Sequence, residues 1–217
     1  GGAEPPMTMF VKVCGLTRAE DIAACAAAGA DAIGLNLWPG SKRYVEPARA
    51  AQLAREAPAG LLKVALFVDA PLDEVVAALT EHPFDVAQLH GDEPQDYVAA
   101  LAARVGARRV WKALRLRDAR SLDGLEAWAA ERVLVDADAP GKGGSGLAAD
   151  RALAAEAARR RPVVLAGGLS PATVADAVRA VRPAGVDVAS GVERAPGIKD
   201  PEAIAAFVRA AREFPLD

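Results

Sequence analysis

Two short stretches late in the chain are suited to meeting an anion. Ala166-Gly167-Gly168-Leu169-Ser170 and Asp187-Val188-Ala189-Ser190-Gly191 each follow an apolar run and bring glycine and serine to its end. Glycine lets successive backbone N–H groups turn toward one point, and a helix start adds uncompensated donors and the positive end of a dipole. Gly167, Gly168, Ser190 and Gly191 are therefore read as a phosphate site. Other apolar runs also close on polar groups: Cys14, then Gln88 and His90, then Asp136 and Asp138. Arg43 follows the second run in Pro39-Gly-Ser-Lys-Arg43-Tyr44, and Asp187 opens the last of them. These are groups an active site draws on, provided that the fold gathers the ends of the runs.

The elements that must do this are legible as a repeat. Short apolar runs begin near Val11, Ala32, Lys63, Val86, Arg109, Arg132, Pro162 and Gly185, and an Ala-rich stretch with helical spacing follows each. That alternation is the βαβ pattern of a parallel sheet. Lys63-Val-Ala-Leu-Phe-Val68 and Val163-Val-Leu-Ala166 show little polar alternation, as expected of strands covered on both faces. Thr17-Arg-Ala-Glu20 reads as a capping box, and Ser170-Pro171 and Asp200-Pro201-Glu202 each set a capping side chain before proline. Eight units in about 200 residues predict an α/β fold, a single (β/α)8 barrel, rather than an open sheet. An open dinucleotide-binding sheet would carry Gly-x-Gly-x-x-Gly after its first strand, and that motif is absent. A closed barrel brings all the C-terminal strand ends to one mouth, where such folds place their chemistry. The expected domain is 10–217. Residues 1–9 are set aside as a leader, and Gly141–Gly146 is read as a loop.

Composition narrows the partners. The net charge is −3, from 26 basic and 29 acidic residues, with no basic run long enough to track a nucleic acid backbone. Apolar runs break within about ten residues, half of what a membrane span needs. Nothing in Gly1–Met9 resembles a signal peptide, so cytoplasmic residence is expected. Cys14 and Cys25 are read as free thiols, and Cys25, within Ala23-Ala-Cys-Ala-Ala27, as a small buried residue. With His82 and His90 in no ligand spacing, no metal is expected. A monomer is expected, since no extended apolar surface helix stands out, with a homodimer as the alternative.

At the strand ends a family resemblance emerges. Lys12-Val-Cys-Gly-Leu-Thr-Arg18, Gly29-Ala-Asp-Ala-Ile-Gly34 through Ser41-Lys-Arg-Tyr44, and Gln88-Leu-His-Gly91 come first. Val135-Asp-Ala137 with Pro140-Gly-Lys-Gly-Gly-Ser-Gly146, Leu165-Ala-Gly-Gly-Leu169 and Asp187-Val-Ala-Ser-Gly-Val-Glu193 follow in order. This succession, over about Phe10 to Phe207, resembles the phosphoribosylanthranilate isomerases of tryptophan biosynthesis. Val13, Ala189 and Trp38 differ from the residues most often found there.

The resemblance implies an Amadori rearrangement of N-(5-phosphoribosyl)anthranilate, with no cofactor and a small phosphosugar as the partner. One acid protonates the furanose ring oxygen, and one base removes the proton from the neighbouring sugar carbon. The family pattern makes Cys14 the base and Asp136 the acid, across the barrel mouth. Ordinary pKa values oppose this, since a free thiol is a few per cent ionised near neutrality and a free Asp roughly 0.1% protonated. Positive surroundings for Cys14 and partial burial of Asp136 are therefore expected. The residues alone leave the swapped assignment open. By the same resemblance Arg43 takes the anthranilate carboxylate, through paired hydrogen bonds that lysine cannot copy. Gln88 and His90 line the pocket, although a histidine there also serves to anchor a loop, and Asp187 holds a sugar hydroxyl. Asp138 organises its loop, and Asp138–Leu147, with Lys142, is either a lid or a plain connection. The rivals are another phosphosugar isomerase or epimerase, which would set a carboxylate at the first strand, and a catalytically silent phosphate-metabolite binder.

Overall fold

The computed structural model describes residues 8–136 and 146–214. Eight parallel strands run in sequence order: β1 (Phe10–Val13), β2 (Ala32–Asn36), β3 (Leu62–Phe67), β4 (Val86–Leu89), β5 (Val110–Arg115), β6 (Arg132–Asp136), β7 (Val163–Ala166) and β8 (Gly185–Val188). β8 pairs back onto β1 with Lys12 beside Asp187, closing the barrel. Around it stand α1 (Ala19–Ala28), α2 (Pro47–Glu56), α3 (Leu72–Glu81), α4 (Gln95–Val105), α5 (Gly146–Arg160), α6 (Val174–Val181) and α7 (Pro201–Ala211). A small antiparallel hairpin, β9 (Glu193–Ala195) and β10 (Ile198–Lys199), is inserted between β8 and α7.

The period of two along a strand sorts the side chains into two sets. Val11 and Val13, Ile33 and Leu35, and Val133 and Val135 face outward, packing with helix residues such as Ile22, Leu53 and Phe207. Each such burial stabilises the fold by about 1.5–3 kcal/mol. The alternate residues face inward: Ala32, Val64, Val86, Trp111, Leu134 and Val164 form a separate cluster, with Phe10 against it. Trp111 is fully buried and meets Phe10 edge-on, ring centres 5.8 Å apart. Gly185, paired with Phe10, makes room for this contact, because a Cβ there would lie 3.0 Å from the Phe10 side chain. Aromatic and aliphatic bulk thus fills the lower barrel. One step up the same rows, Lys12, Gln88, Asp136 and Asp187 bring polar groups inward among Gly34, Leu66, Ala113 and Ala166.

The eight expected strand starts lie within one residue of those observed. Several local expectations need correction. The fifth unit has no α-helix: two short 3-10 turns, Ala119–Leu122 and Leu125–Ala127, stand in its place, divided at Gly124, whose φ of +67° belongs to the left-handed region. Trp128 and the buried Lys112–Glu93 ion pair, 2.8 Å apart, lie on that side of the barrel. Thr17 and Glu20 form no capping box. α1 starts from Arg18 without a side-chain cap, and the Thr17 hydroxyl donates instead to the Gly197 carbonyl at 2.6 Å, because the inserted hairpin claims it. Ser170-Pro171 opens a turn rather than α6, which begins at Val174. Asp200 does cap α7, accepting from the Glu202 N–H. Met9, assigned to the leader, is core: it is buried, and its carbonyl accepts from Arg212. Residues 1–7 and 137–145 lie outside the described residues, so Asp138, Lys142 and most of the expected loop to Leu147 do too. Gly146 and Leu147 already belong to α5. Among the described residues no helix is long and apolar enough to cross a membrane.

Candidate active site

At the C-terminal end of the barrel the inward rows surface into one cavity of about 330 Å³. Following Phe10 and Lys12 up β1 gives Cys14. Leu134 leads to Asp136 on β6, Val86 and Gln88 to His90 on β4, and Gly34 to Asn36 on β2. Cys14, Asp136, Arg43, Gln88, His90 and Asp187 all line this cavity, as do Gly167, Gly168 and Ser190. Gly191 is not on its wall. A Cβ there would lie 1.9 Å from the Leu169 carbonyl oxygen, so Gly191 lets the two loops pack backbone to backbone. Gly167 and Gly168 both hold positive φ, +95° and +62°. β6 lies three strands round the ring from β1 by way of β8 and β7, so the two glycine-bearing loops occupy the arc between Cys14 and Asp136.

Electrostatics set the states of these groups. Lys12 is wholly buried, with its ammonium 3.0 Å from Asp187 Oδ1. Burial works against its charge, but the Asp187 carboxylate and the Cys14 sulfur more than offset this, and its pKa lies above the ordinary lysine value. A fixed positive charge therefore stands beside Cys14. In the sequence Lys12 stands out only as part of a motif. The period of two from Cys14 would have pointed it inward, but its partner becomes visible only once β8 closes on β1. Asp187, expected on a sugar hydroxyl, spends one oxygen on this pair. Cys14 is almost buried, and Gly34 across from it leaves the sulfur its space: a Cβ there would lie 2.6 Å from Sγ.

His90 is pushed below its ordinary pKa by burial and by the Lys12, Arg115 and Lys112 cations, against the pull of Asp187. It is neutral near neutral pH. Gln88 Nε2 stands 3.1 Å from His90 Nδ1, so the two side chains orient each other. Arg43 is engaged side-on by Glu193, a residue to which the sequence alone gives no role. Trp38, Leu66 and Val68 supply an apolar wall, and Arg115, paired in register with Asp136, adds a cation at the rim. Cys25 is buried away from this site, its thiol pushed up to about 12 by desolvation. His82 ends α3 and meets Phe84 edge-on. Among the described residues no cluster of three or more His, Cys, Asp or Glu side chains could hold a metal ion.

One pocket thus holds a thiol beside a buried cation, a carboxyl group, two glycine-bearing loops and a guanidinium next to an apolar wall. Comparison with known proteins identifies relatives along nearly the whole chain. A family described as N-(5'phosphoribosyl)anthranilate (PRA) isomerase matches residues 11–210. The chain is 44% identical over 204 residues to the N-(5'-phosphoribosyl)anthranilate isomerase of Geotalea daltonii, covering 94% of this chain and 96% of that one. The crystal structure of phosphoribosyl anthranilate isomerase from Thermotoga maritima superposes with a TM-score of 0.85 at 35% identity, covering 95% and 100% of the two chains. A further crystal structure of such an isomerase, in complex with reduced 1-(o-carboxyphenylamino)-1-deoxyribulose 5-phosphate, gives a TM-score of 0.83 at 33% identity with the same coverage.

Proposed function

The chain belongs to the N-(5'-phosphoribosyl)anthranilate isomerase family, and from that premise we propose that it converts N-(5-phosphoribosyl)anthranilate to 1-(2-carboxyphenylamino)-1-deoxyribulose 5-phosphate, an intramolecular isomerisation in tryptophan biosynthesis. The observation that carries this reading is the sharing of one cavity by Cys14, Asp136, Arg43 and the two glycine-bearing loops.

The phosphate lies against the backbone of Gly167, Gly168 and Ser190, where turned N–H groups favour negative charge. The anthranilate ring rests toward Trp38, Leu66 and Val68, and its carboxylate meets Arg43. The ribose then spans the space between Cys14 and Asp136. Asp136 gives its proton to the ring oxygen as the C1–O bond breaks, and the nitrogen lone pair forms an iminium at C1. Cys14, acting as the base beside the Lys12 ammonium, takes the proton from C2, and the released electron pair neutralises the iminium to an enolamine. Protonation at C1 and loss of the enol proton give the ketone. No redox change occurs.

The swapped roles, with a thiol acid and a carboxylate base, are separated from these by pH–rate profiles and solvent and substrate isotope effects for Cys14→Ser and Asp136→Asn. The reading is tested by incubating the purified chain with the fluorescent substrate and following its decay, with the product, an isomer of equal mass, identified by its ketone. Turnover on the order of 1 s⁻¹ or faster is expected, as is usual for enzymes. Phosphate-dependent binding with no turnover would leave only the silent metabolite binder.

A further inference from the structure

The cation that the pocket holds for a carboxylate is already gripped by another carboxylate. Arg43 Nε donates to Glu193 Oε2 at 2.8 Å and Oε1 at 3.1 Å, and Nη2 donates to Oε1 at 2.6 Å. These bonds use the side edge of the guanidinium. Its end edge, Nη1 with the remaining Nη2 hydrogen, stays clear of Glu193, while Arg43 lines the cavity with its side chain 24% exposed. A guanidinium has five N–H donors in a fixed plane, so one carboxylate on the side edge leaves room for a second on the end edge.

Glu193 is itself held on several sides. Its side chain is 4% exposed, and Oε2 also accepts from Lys199 Nζ at 3.0 Å and from the Gly197 N–H at 2.9 Å. Burial opposes its charge, but Arg43 and Lys199 outweigh that and hold its carboxyl below the usual range. Lys199, fully buried, donates to the carbonyls of Cys14 at 2.6 Å and Ala189 at 3.1 Å. Its own backbone N–H donates to Asp21 Oδ2 at 3.0 Å, latching the hairpin onto α1. The β9–β10 insert thus presents, from its two ends, one carboxylate and one ammonium that connect Arg43 to the backbone of Cys14.

We infer that Glu193 is a positioning residue for substrate recognition: it holds Arg43 side-on and so presents the free end of the guanidinium to the aromatic carboxylate of the substrate. This rests on the reading of Arg43 given above. Arginine otherwise surrenders side-chain entropy when it is fixed, and Glu193 fixes it before the ligand arrives. The opposing possibility is that Glu193 competes with the substrate for Arg43, in which case removing its charge tightens binding.

Glu193→Gln keeps the shape and removes the charge. The measurements are kcat and KM, together with dissociation constants for two reduced product analogues, one with the ortho carboxylate and one without. KM is expected to rise about tenfold, as for a weakened charge-assisted hydrogen bond, with kcat changed less than about threefold. The carboxylate-bearing analogue weakens to the same degree, the carboxyl-free one stays unchanged, and in an Arg43→Lys background Glu193→Gln adds nothing. Equal weakening of both analogues would reduce Glu193 to a structural role, and tighter binding of the carboxylate-bearing one would make it a competitor; either overturns the inference while leaving Arg43 in place. If Arg43→Lys alone fails to change discrimination between the analogues, the reading of Arg43 falls and the inference with it. Should Glu193→Gln not fold, Glu193→Asp carries the same test, since it keeps the charge beside Lys199 while drawing the carboxylate back from Arg43.

Discussion

Cys14→Ala is expected to lower turnover by roughly 10²–10⁴-fold, the usual contribution of a positioned proton-transfer group, while the barrel folds and still binds the reduced product analogue. The sulfur is buried against Gly34 but borders the cavity, so its truncation enlarges that cavity rather than opening a closed void in the core. Its removal leaves no orphaned polar atom in the core. Lys12, Asp187 and the two glycine-bearing loops keep their places, so affinity survives and the loss falls on kcat. Steady-state kinetics beside calorimetric binding separate the two. Near-parental turnover in Cys14→Ala would remove the thiol from the reaction under either assignment of acid and base.

The second large effect is on stability. Lys12→Met leaves Asp187 in a nearly closed site without its cation, and breaking a buried pair on one side costs about 3–5 kcal/mol. Turnover falls as well, since the positive charge beside Cys14 is lost. The double change Lys12→Met with Asp187→Leu recovers most of the stability, because an apolar pair of similar volume is no worse than the ion pair, yet it recovers no activity. Urea unfolding measures the first quantity and the substrate assay the second. The pH dependence follows from the direction of the Lys12 shift. A pKa raised in the folded state adds stability that is complete below the ordinary value of 10.5 and fades as pH climbs through the raised one. The deficit of Lys12→Met is therefore flat from about pH 6 to 9 and narrows only in stronger alkali. A deficit that appeared only in acid would mean that Lys12 is not the charged partner.

Much of this molecule can be read along the chain, and the failures have physical causes. Apolar runs recurring with Ala-rich intervals reveal a parallel barrel, since strands covered on both faces need no alternation of their own. Strand ends then disclose Cys14, His90 and Asp136, because a barrel gathers those ends at one mouth. The fifth helix misleads, since Leu116–Glu131 has helical composition but Asp118 caps a 3-10 turn and Gly124 breaks it. Thr17 has the spacing of a capping residue, but its hydroxyl is taken by a carbonyl 180 residues away. Lys12–Asp187 and Arg43–Glu193 share that cause. Each joins positions more than a hundred residues apart, and only barrel closure and the β9–β10 insert bring them together.

The convergence of thiol and carboxyl group on one pentose is tested most directly by a crystal structure of this chain with reduced 1-(o-carboxyphenylamino)-1-deoxyribulose 5-phosphate bound. Cys14 Sγ should stand about 3–3.5 Å from C2 of the sugar, with an Asp136 oxygen within hydrogen-bond reach of the former ring oxygen and the phosphate on the Gly167–Gly168 loop. A ligand seated with its phosphate elsewhere, or with the sulfur and the carboxylate on the same side of the sugar and neither in reach of C2, would contradict the assignment of base and acid.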